Sequence, residues 1–300
     1  MWPCSIDWQT LRFGVEIEFV GGAPEQLELL PGWIMSLDER QIDEAGEASG
    51  SELKPPPMLW TDREQIAVML RRLIAQGATA NWSCGLHVHV SLESWGEAIV
   101  LPLLDTALKA QEALRELLQT GEYRHVYCPS VTEEHRRQYA ASPERESLCC
   151  KGRPQSHRCG INTAAWFDIG TVEIRYANGS LDADEVFNTI ELCLRFVAAV
   201  GSGNWLPGDA QALAAAVGAP SKGYPAAIQP PRWYKERVWL EEALLPLFAS
   251  HAEQLEPGGE VHHIVPTSDG IMVAIETGGD ELRYYTVTPP ANGWEMKKLK

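Results

Sequence analysis

The sequence predicts an α+β protein, and three observations carry that prediction. Three short segments centred on Ile17, Val88 and Ile174 alternate apolar and polar residues as strands do. Two of them, "GLHVHVSL" and the strand ending "TVEIRYA", run on into helix-like stretches. From Glu256 onward the text changes to Gly-rich turns and short β-type runs, the pattern of a small antiparallel appendage.

Taken in chain order, "FGVEIEF" opens as a strand, and the Gly and Pro residues of "GGAPEQLELLPGW" mark a loop with a short element at 26–30. "WIMSLDE" and "GSELKPP" read as two strands parted by an acidic loop. "TDREQIAVMLRRLIAQG" predicts a helix: Thr61 and Glu64 have capping-box spacing, Ile66, Met69, Leu70 and Leu73 share a face, and Gly77 can end it. A helix over 103–118 follows the strand "GLHVHVSL", and another fits 133–141. "AAWFDIGTVEIRYA" predicts a strand and "LDADEVFNTIELCLRFVAAVG" a helix capped by Asp182, with Glu185 three residues on. After the break at "GSGNWLPGD", two helices fit "DAQALAAAVG" and "RWYKERVWLEEALLPLF". The expected division is a main domain at 1–205, a helical extension at 206–255 and a β-rich subdomain at 256–300.

Composition narrows the function classes. At 300 residues, 45% hydrophobic and 22% charged, the chain can bury one large core. Its 41 acidic against 25 basic residues give a formal charge of -16, which repels nucleic acid and anionic membrane surfaces but welcomes multivalent cations. No signal-type N-terminus or long apolar run is present, so the expected location is cytoplasmic. The seven cysteines read as mostly free thiols. "CCKGRPQSHRC" gathers three of them with His157, but the spacing matches no recognised zinc pattern, so it reads as a plain loop.

The three strands share one grammar. Glu16 and Glu18, His87 and His89, and Glu173 and Arg175 each bracket one apolar residue, so each pair projects from one face and its apolar neighbours from the other. Alone, each pair also fits an ordinary sheet surface: solvated glutamates, histidines held by neighbours, a cross-strand ion pair. Their conjunction in strands otherwise built for a core points to a single polar floor. Carboxylates that converge repel unless a cation lies between them, and hard oxygen ligands favour magnesium, with manganese the alternative. Glu16, Glu18, Glu52 and Glu173 are the candidate ligands. Arg175 adds a fork able to hold phosphate oxygens. Neither a P-loop nor a dinucleotide fingerprint occurs, so a nucleotide would be held through metals and arginines.

"FGVEIEF", "GSELKPPP", "CGLHVHVSL" and "INTAAWFDIGTVEIRYANGSLDADEVFNTIELCLRFV", in that order, resemble the amidoligases of the carboxylate-amine ligase superfamily, relatives of glutamate-cysteine ligase and glutamine synthetase. The resemblance runs from about residue 11 to about residue 200 and leaves the last hundred uncovered. It implies a glutamine-synthetase-like antiparallel sheet with flanking helices, whose concave face binds ATP with two or three divalent ions. The implied reaction phosphorylates a carboxylate to an acyl phosphate, which an amine attacks to give an amide. By resemblance, Glu16, Glu18, Glu52 and Glu173 take metal roles, His87 and His89 contact phosphate or metal, and Arg175 stabilises the transferring phosphoryl group. Arg175, Glu173 and His87 are thus the catalytic assignments. Asp38 and Asp43 compete for a further acidic position, with Asp38 favoured because it follows "WIMSL". Arg158 and Asn162 resemble the Arg and Asn expected at substrate or phosphate; Arg158 also fits a solvated loop arginine.

Two other readings stay open. A metal-dependent hydrolase could use the His-x-His strand, expecting zinc, activity without ATP and further ligands at strand ends. The remaining histidines lack that pattern, and "VHHIV" would put His262 and His263 on opposite faces. The other is a non-catalytic descendant that binds nucleotide. The β-rich tail suits recruitment, capping, dimerisation into a homo-oligomer, or a structural appendage. The loop at 149–159 or the segment 21–50 is a candidate lid. Family resemblance allows an amino acid, a peptide or a protein side chain as carboxylate donor or amine acceptor.

Overall fold

Phe13, Val15, Ile17 and Phe19 are each at most 2% exposed, while Glu16 and Glu18 between them are half-buried. That alternation is what a strand with one packed face requires. A computed structural model describes the chain over residues 2–150, 157–268, 270–277, 281–288 and 295–298. Its first strands are β1 (Phe13–Gly21), β2 (Ile34–Ser36), β3 (Gln41–Ile42), β4 (Ala48–Ser49), β5 (Ser51–Lys54), β6 (Ala78–Thr79), β7 (Gly85–Ser91), β8 (Ile161–Asn162) and β9 (Thr171–Asn178). Seven of them form one sheet in the order β2-β5-β1-β7-β9-β8, with β6 pairing the end of β1. Every pairing is antiparallel. β3 and β4 make a separate hairpin inside the acidic loop.

The register fixes the site. Glu18 lies opposite Glu52, Glu16 opposite His87, and Glu173 opposite both His89 and Asn162. The apolar face packs into one core with α1 (Glu64–Ala75), α2 (Val100–Leu117) and α5 (Ala183–Gly201). Ile66, Met69, Leu70 and Leu73 of α1 are buried as their spacing predicts, and α5 is buried on most of its surface. Each such fully buried aliphatic or aromatic side chain stabilises the fold by roughly 1.5–3 kcal/mol. Shorter helices are α3 (Glu133–Ala141), α4 (Ala165–Ile169) and α6 (Ala210–Val217).

Two compact units are formed, one from Met1–Cys150 with Arg158–Gln229 and a second centred on Pro230–Lys300. The expected extension at 206–255 is thus divided, with α6 in the first unit. The second unit holds α7 (Arg232–Leu255) and the strands β10 (Glu260–Thr267), β11 (Gly270–Thr277), β12 (Glu281–Thr288) and β13 (Glu295–Lys298). These four pair in sequence as an antiparallel sheet whose core includes Phe248, Val261, Ile264, Val273, Ile275 and Val287. With seven α-helices among the described residues and antiparallel sheets, the architecture is α+β. None of the helices searched is long and apolar enough to cross a membrane.

Local expectations fail in five places, each for a visible reason. The short element expected at 26–30 is a 3-10 turn at Pro24–Gln26. No capping box forms between Thr61 and Glu64; the chain enters α1 through a 3-10 turn on buried Trp60, and Asp62 accepts from Leu59 N–H at 3.3 Å. "AAWFDIG" is helical rather than extended, ended by Gly170 in the left-handed region at φ 73°, and only then does β9 begin. α7 continues past Phe248 to Leu255 because Phe248 and Ala252, one turn apart, both enter the second core. A bulge between Val261 and His263 breaks the alternation of β10, so His262 and His263 meet with their Nδ1 atoms 2.8 Å apart.

Candidate functional site

Four neighbouring strands each place two polar side chains in one cluster: Glu52 and Lys54 from β5, Glu16 and Glu18 from β1, His87 and His89 from β7, and Glu173 and Arg175 from β9. Asn162 joins from β8. Glu16 is the hub. Its Oε2 meets His87 Nδ1 at 3.0 Å, and its Oε1 meets Lys54 Nζ at 3.2 Å and His89 Nε2 at 3.4 Å. Lys54 also pairs with Glu52 at 2.9 Å. Glu173, 1% exposed, accepts from Asn162 Nδ2 at 2.7 Å and from Arg175 Nη1, and lies 3.7 Å from His89 Nε2. Arg175 Nη1 is also 3.4 Å from His87 Nδ1, and His89 Nδ1 contacts Thr171 Oγ1 at 3.1 Å.

Glu18 accepts the backbone N–H of Gly85, the first residue of β7. A Cβ at Gly85 would lie 2.7 Å from His87 Nε2 and 2.4 Å from the Arg124 guanidinium, so a side chain here would displace both groups. Buried Arg124 donates to Cys84 O at 2.8 Å and Arg175 O at 3.3 Å, bracing β7 and β9.

The crowding shows in the acidities. Burial alone would raise Glu16, but hydrogen bonds from His87 and His89 and their charge outweigh it and hold the carboxyl well below its ordinary range. Burial likewise raises Glu173, yet the charges of Arg175, His89 and His87 bring it down to about 2. Glu52 goes the other way: burial first, then the charge of Glu16, push it up to about 8 against the pull of Lys54. Burial and the charge of Glu16 thus favour the protonated form of Glu52.

A divalent cation fits this donor set. Glu16, His89 and Glu173 each present a ligand atom within 4.8 Å of the others. Four carboxylates converge here against the two cations that pair with them, Lys54 and Arg175. Carboxylate oxygens accept Mg2+ or Mn2+, and the imidazole in the set favours manganese.

A family model described as "Putative amidoligase enzyme" matches residues 28–197. This chain belongs to that amidoligase family. No curated protein matches the chain. The matched stretch contains Glu52, His87, His89, Asn162, Glu173 and Arg175; Glu16 and Glu18 lie ahead of it on β1. An amide-forming ligase is the activity that the family description suggests.

Not every candidate site residue named from sequence joins the cluster. Asp38 is exposed on the turn after β2, and among the described residues no hydrogen bond or ion pair links it to the floor. Its rival Asp43 accepts from Ala45 N and Glu47 N at 2.8 and 3.0 Å, shaping its own loop between β3 and β4. Arg158 is exposed. The candidate lid at 149–159 falls largely outside the described residues; the other, 21–50, carries β2, β3 and β4.

Two residues of the cluster carry no mark in the sequence reading. Lys54 stands two residues after Glu52 and therefore on the same face of β5, a signal present in "GSELK". Arg124 comes from the 3-10 turn Glu122–Val126, where no local pattern marks it as buried.

Proposed function

We propose that this chain is an ATP-dependent carboxylate-amine ligase that works through an acyl phosphate. The observation that carries the reading is the convergence of Glu16, His89 and Glu173 beside the Arg175 guanidinium. In this reading Glu16, His89 and Glu173 hold Mg2+ or Mn2+, with Glu18 and Glu52 next to them. The ion would neutralise the polyphosphate and the charge that develops on transfer.

The chain's own groups account for the rest. Arg175, a planar fork already buried and aimed into the floor, takes the transferring phosphoryl oxygens. His87 Nδ1 donates to Glu16 Oε2 at 3.0 Å and so orients that carboxylate beside Arg175. Asn162 holds Glu173 Oε2, which leaves Oε1 as the atom facing His89 and Arg175. A carboxylate oxygen attacks the γ-phosphorus and ADP departs. The amine nitrogen then attacks the acyl carbon, loses a proton, and phosphate leaves with one former carboxylate oxygen. Phosphorylation supplies the leaving group that a free carboxylate lacks, and the protein's part is positioning and charge stabilisation. The kinship with glutamine synthetase and glutamate-cysteine ligase suggested by the motifs belongs to this proposal, as does a peptide or amino-acid substrate.

The test supplies Mg-ATP, a pool of carboxylates labelled with oxygen-18, and a pool of amines. The expected result is amide, ADP and phosphate that has gained one labelled oxygen per turnover. Amide formed without label transfer, or hydrolysis that needs no nucleotide, would overturn the acyl-phosphate route.

A further inference from the structure

Away from the charged floor, a second cluster is built from soft donors. Cys150 and Cys159, both buried, bring their Sγ atoms to 3.3 Å. His135, on α3, reaches the same point with Nδ1 at 3.8 Å from Cys159 Sγ. Ligand atoms from all three lie within 4.8 Å of one another. The three residues come from two separate stretches of chain, so only the fold assembles them. His157, the histidine inside "CCKGRPQSHRC", is not in the set.

From this geometry we propose that His135, Cys150 and Cys159 bind a zinc ion. Two thiolates and an imidazole suit a soft-to-borderline cation and reject Mg2+. A tetrahedral zinc with Zn–S bonds of about 2.3 Å separates two sulfur ligands by about 3.7 Å, so the sulfurs need to part by only about half an ångström. A disulfide, by contrast, needs the same atoms at about 2.05 Å. Binding releases the two thiol protons to solvent and leaves a fourth position to water.

Loading the site has a local consequence. His135 Nδ1 now accepts from Thr132 N–H at 3.1 Å as part of the α3 capping box. A metal on that nitrogen replaces the capping bond, so the first turn of α3 becomes pinned by the ion instead. The ion also ties together the two ends of the segment between Cys150 and Cys159, just ahead of β8. Gly160 follows at once, its N–H on Pro129 O at 2.7 Å and its carbonyl on Arg175 N at 2.8 Å. A Cβ there would enter the Tyr176 ring at 1.9 Å, so the chain has no slack at this point. Zinc at this cluster would steady the approach to Asn162, and through it Glu173.

The test measures metal in the full chain purified from zinc-supplemented medium, and cobalt(II) absorption of the stripped protein. About one zinc per chain is expected, lost in Cys150→Ser and Cys159→Ser, reduced in His135→Ala, and kept in Cys128→Ser, whose buried thiol bonds elsewhere. Cobalt should give a thiolate charge-transfer band in the native chain; because it requires sulfur, cobalt at the carboxylate floor cannot mimic it. If the serine variants do not fold, that band decides alone. Its absence, zinc retained by both serine variants, or a Cys150–Cys159 disulfide found by mass spectrometry of the unreduced protein would overturn the proposal.

Discussion

The first unit contains two clusters able to enclose a cation, and they are made in opposite ways. At the floor, charge is abundant: the carboxylates of Glu16, Glu52 and Glu173 meet Lys54 and Arg175, with His87 and His89 beside them. At the second cluster the thiols of Cys150 and Cys159 become ligands by losing protons, and both lie in the apolar core. The floor is a rigid sheet whose members are spaced by strand register; the thiol cluster joins a helix to a connecting segment. A preformed charged floor suits an exchangeable ion that arrives with a nucleotide, whereas buried thiols suit an ion that stays.

The sharpest way to break this comparison is at Glu173. Glu173→Ala leaves Arg175 buried without its partner and should cost about 3–5 kcal/mol in urea unfolding. Glu173→Gln keeps the shape and should instead lower ATP turnover by at least about 100-fold; an unchanged rate would remove Glu173 from the reaction. Ile17→Ala probes the back of the same strand. With Ile17 fully buried, it should destabilise by about 2–5 kcal/mol by the same urea measurement, through a cavity and with no change in charge.

A smaller effect separates the hard cluster from its internal counter-ion. Lys54 competes with any incoming cation for Glu16 Oε1, so Lys54→Met should tighten Mn2+ binding by calorimetry. The expected factor is about fivefold, equivalent to a partly exposed ion pair of roughly 1 kcal/mol. Weaker binding would mean that Lys54 helps to hold the metal's ligands in place. The smallest effect is expected at Asp38: Asp38→Ala should leave Mn2+ affinity and turnover unchanged, and a loss in either would bring that exposed turn into the site.

The floor is legible because period-two alternation decides the faces of these strands: Glu16, Glu18, His87, His89, Glu173 and Arg175 have only one face available once Val15, Ile17, Val88 and Ile174 claim the other. Strand order was not legible in the same way, since alternation says which face a residue takes and not which strand lies beside it. Lys54 could have been found by extending the rule two residues past Glu52. Arg124 and the meeting of His135 with Cys150 and Cys159 could not, because each depends on a long-range approach with no local periodicity. Asp38 shows the converse: an aspartate after a strand is where a ligand could stand, yet the strand is short and the turn that carries Asp38 is exposed. The apolar content of "AAWFDIG" fits either element, and the left-handed Gly170 decides between them.

The pairing of Glu16 with His87 and of His89 with Glu173 has a consequence for how the chain finds its structure. In β1 every second residue is either a floor carboxylate or a core apolar side chain, so sliding it one place against β7 would drive Glu16 and Glu18 into hydrocarbon. Burying an unpaired carboxylate is costlier than misplacing a serine or threonine in the same position. The acidic residues therefore act as proofreaders of strand alignment, rejecting the off-register sheet.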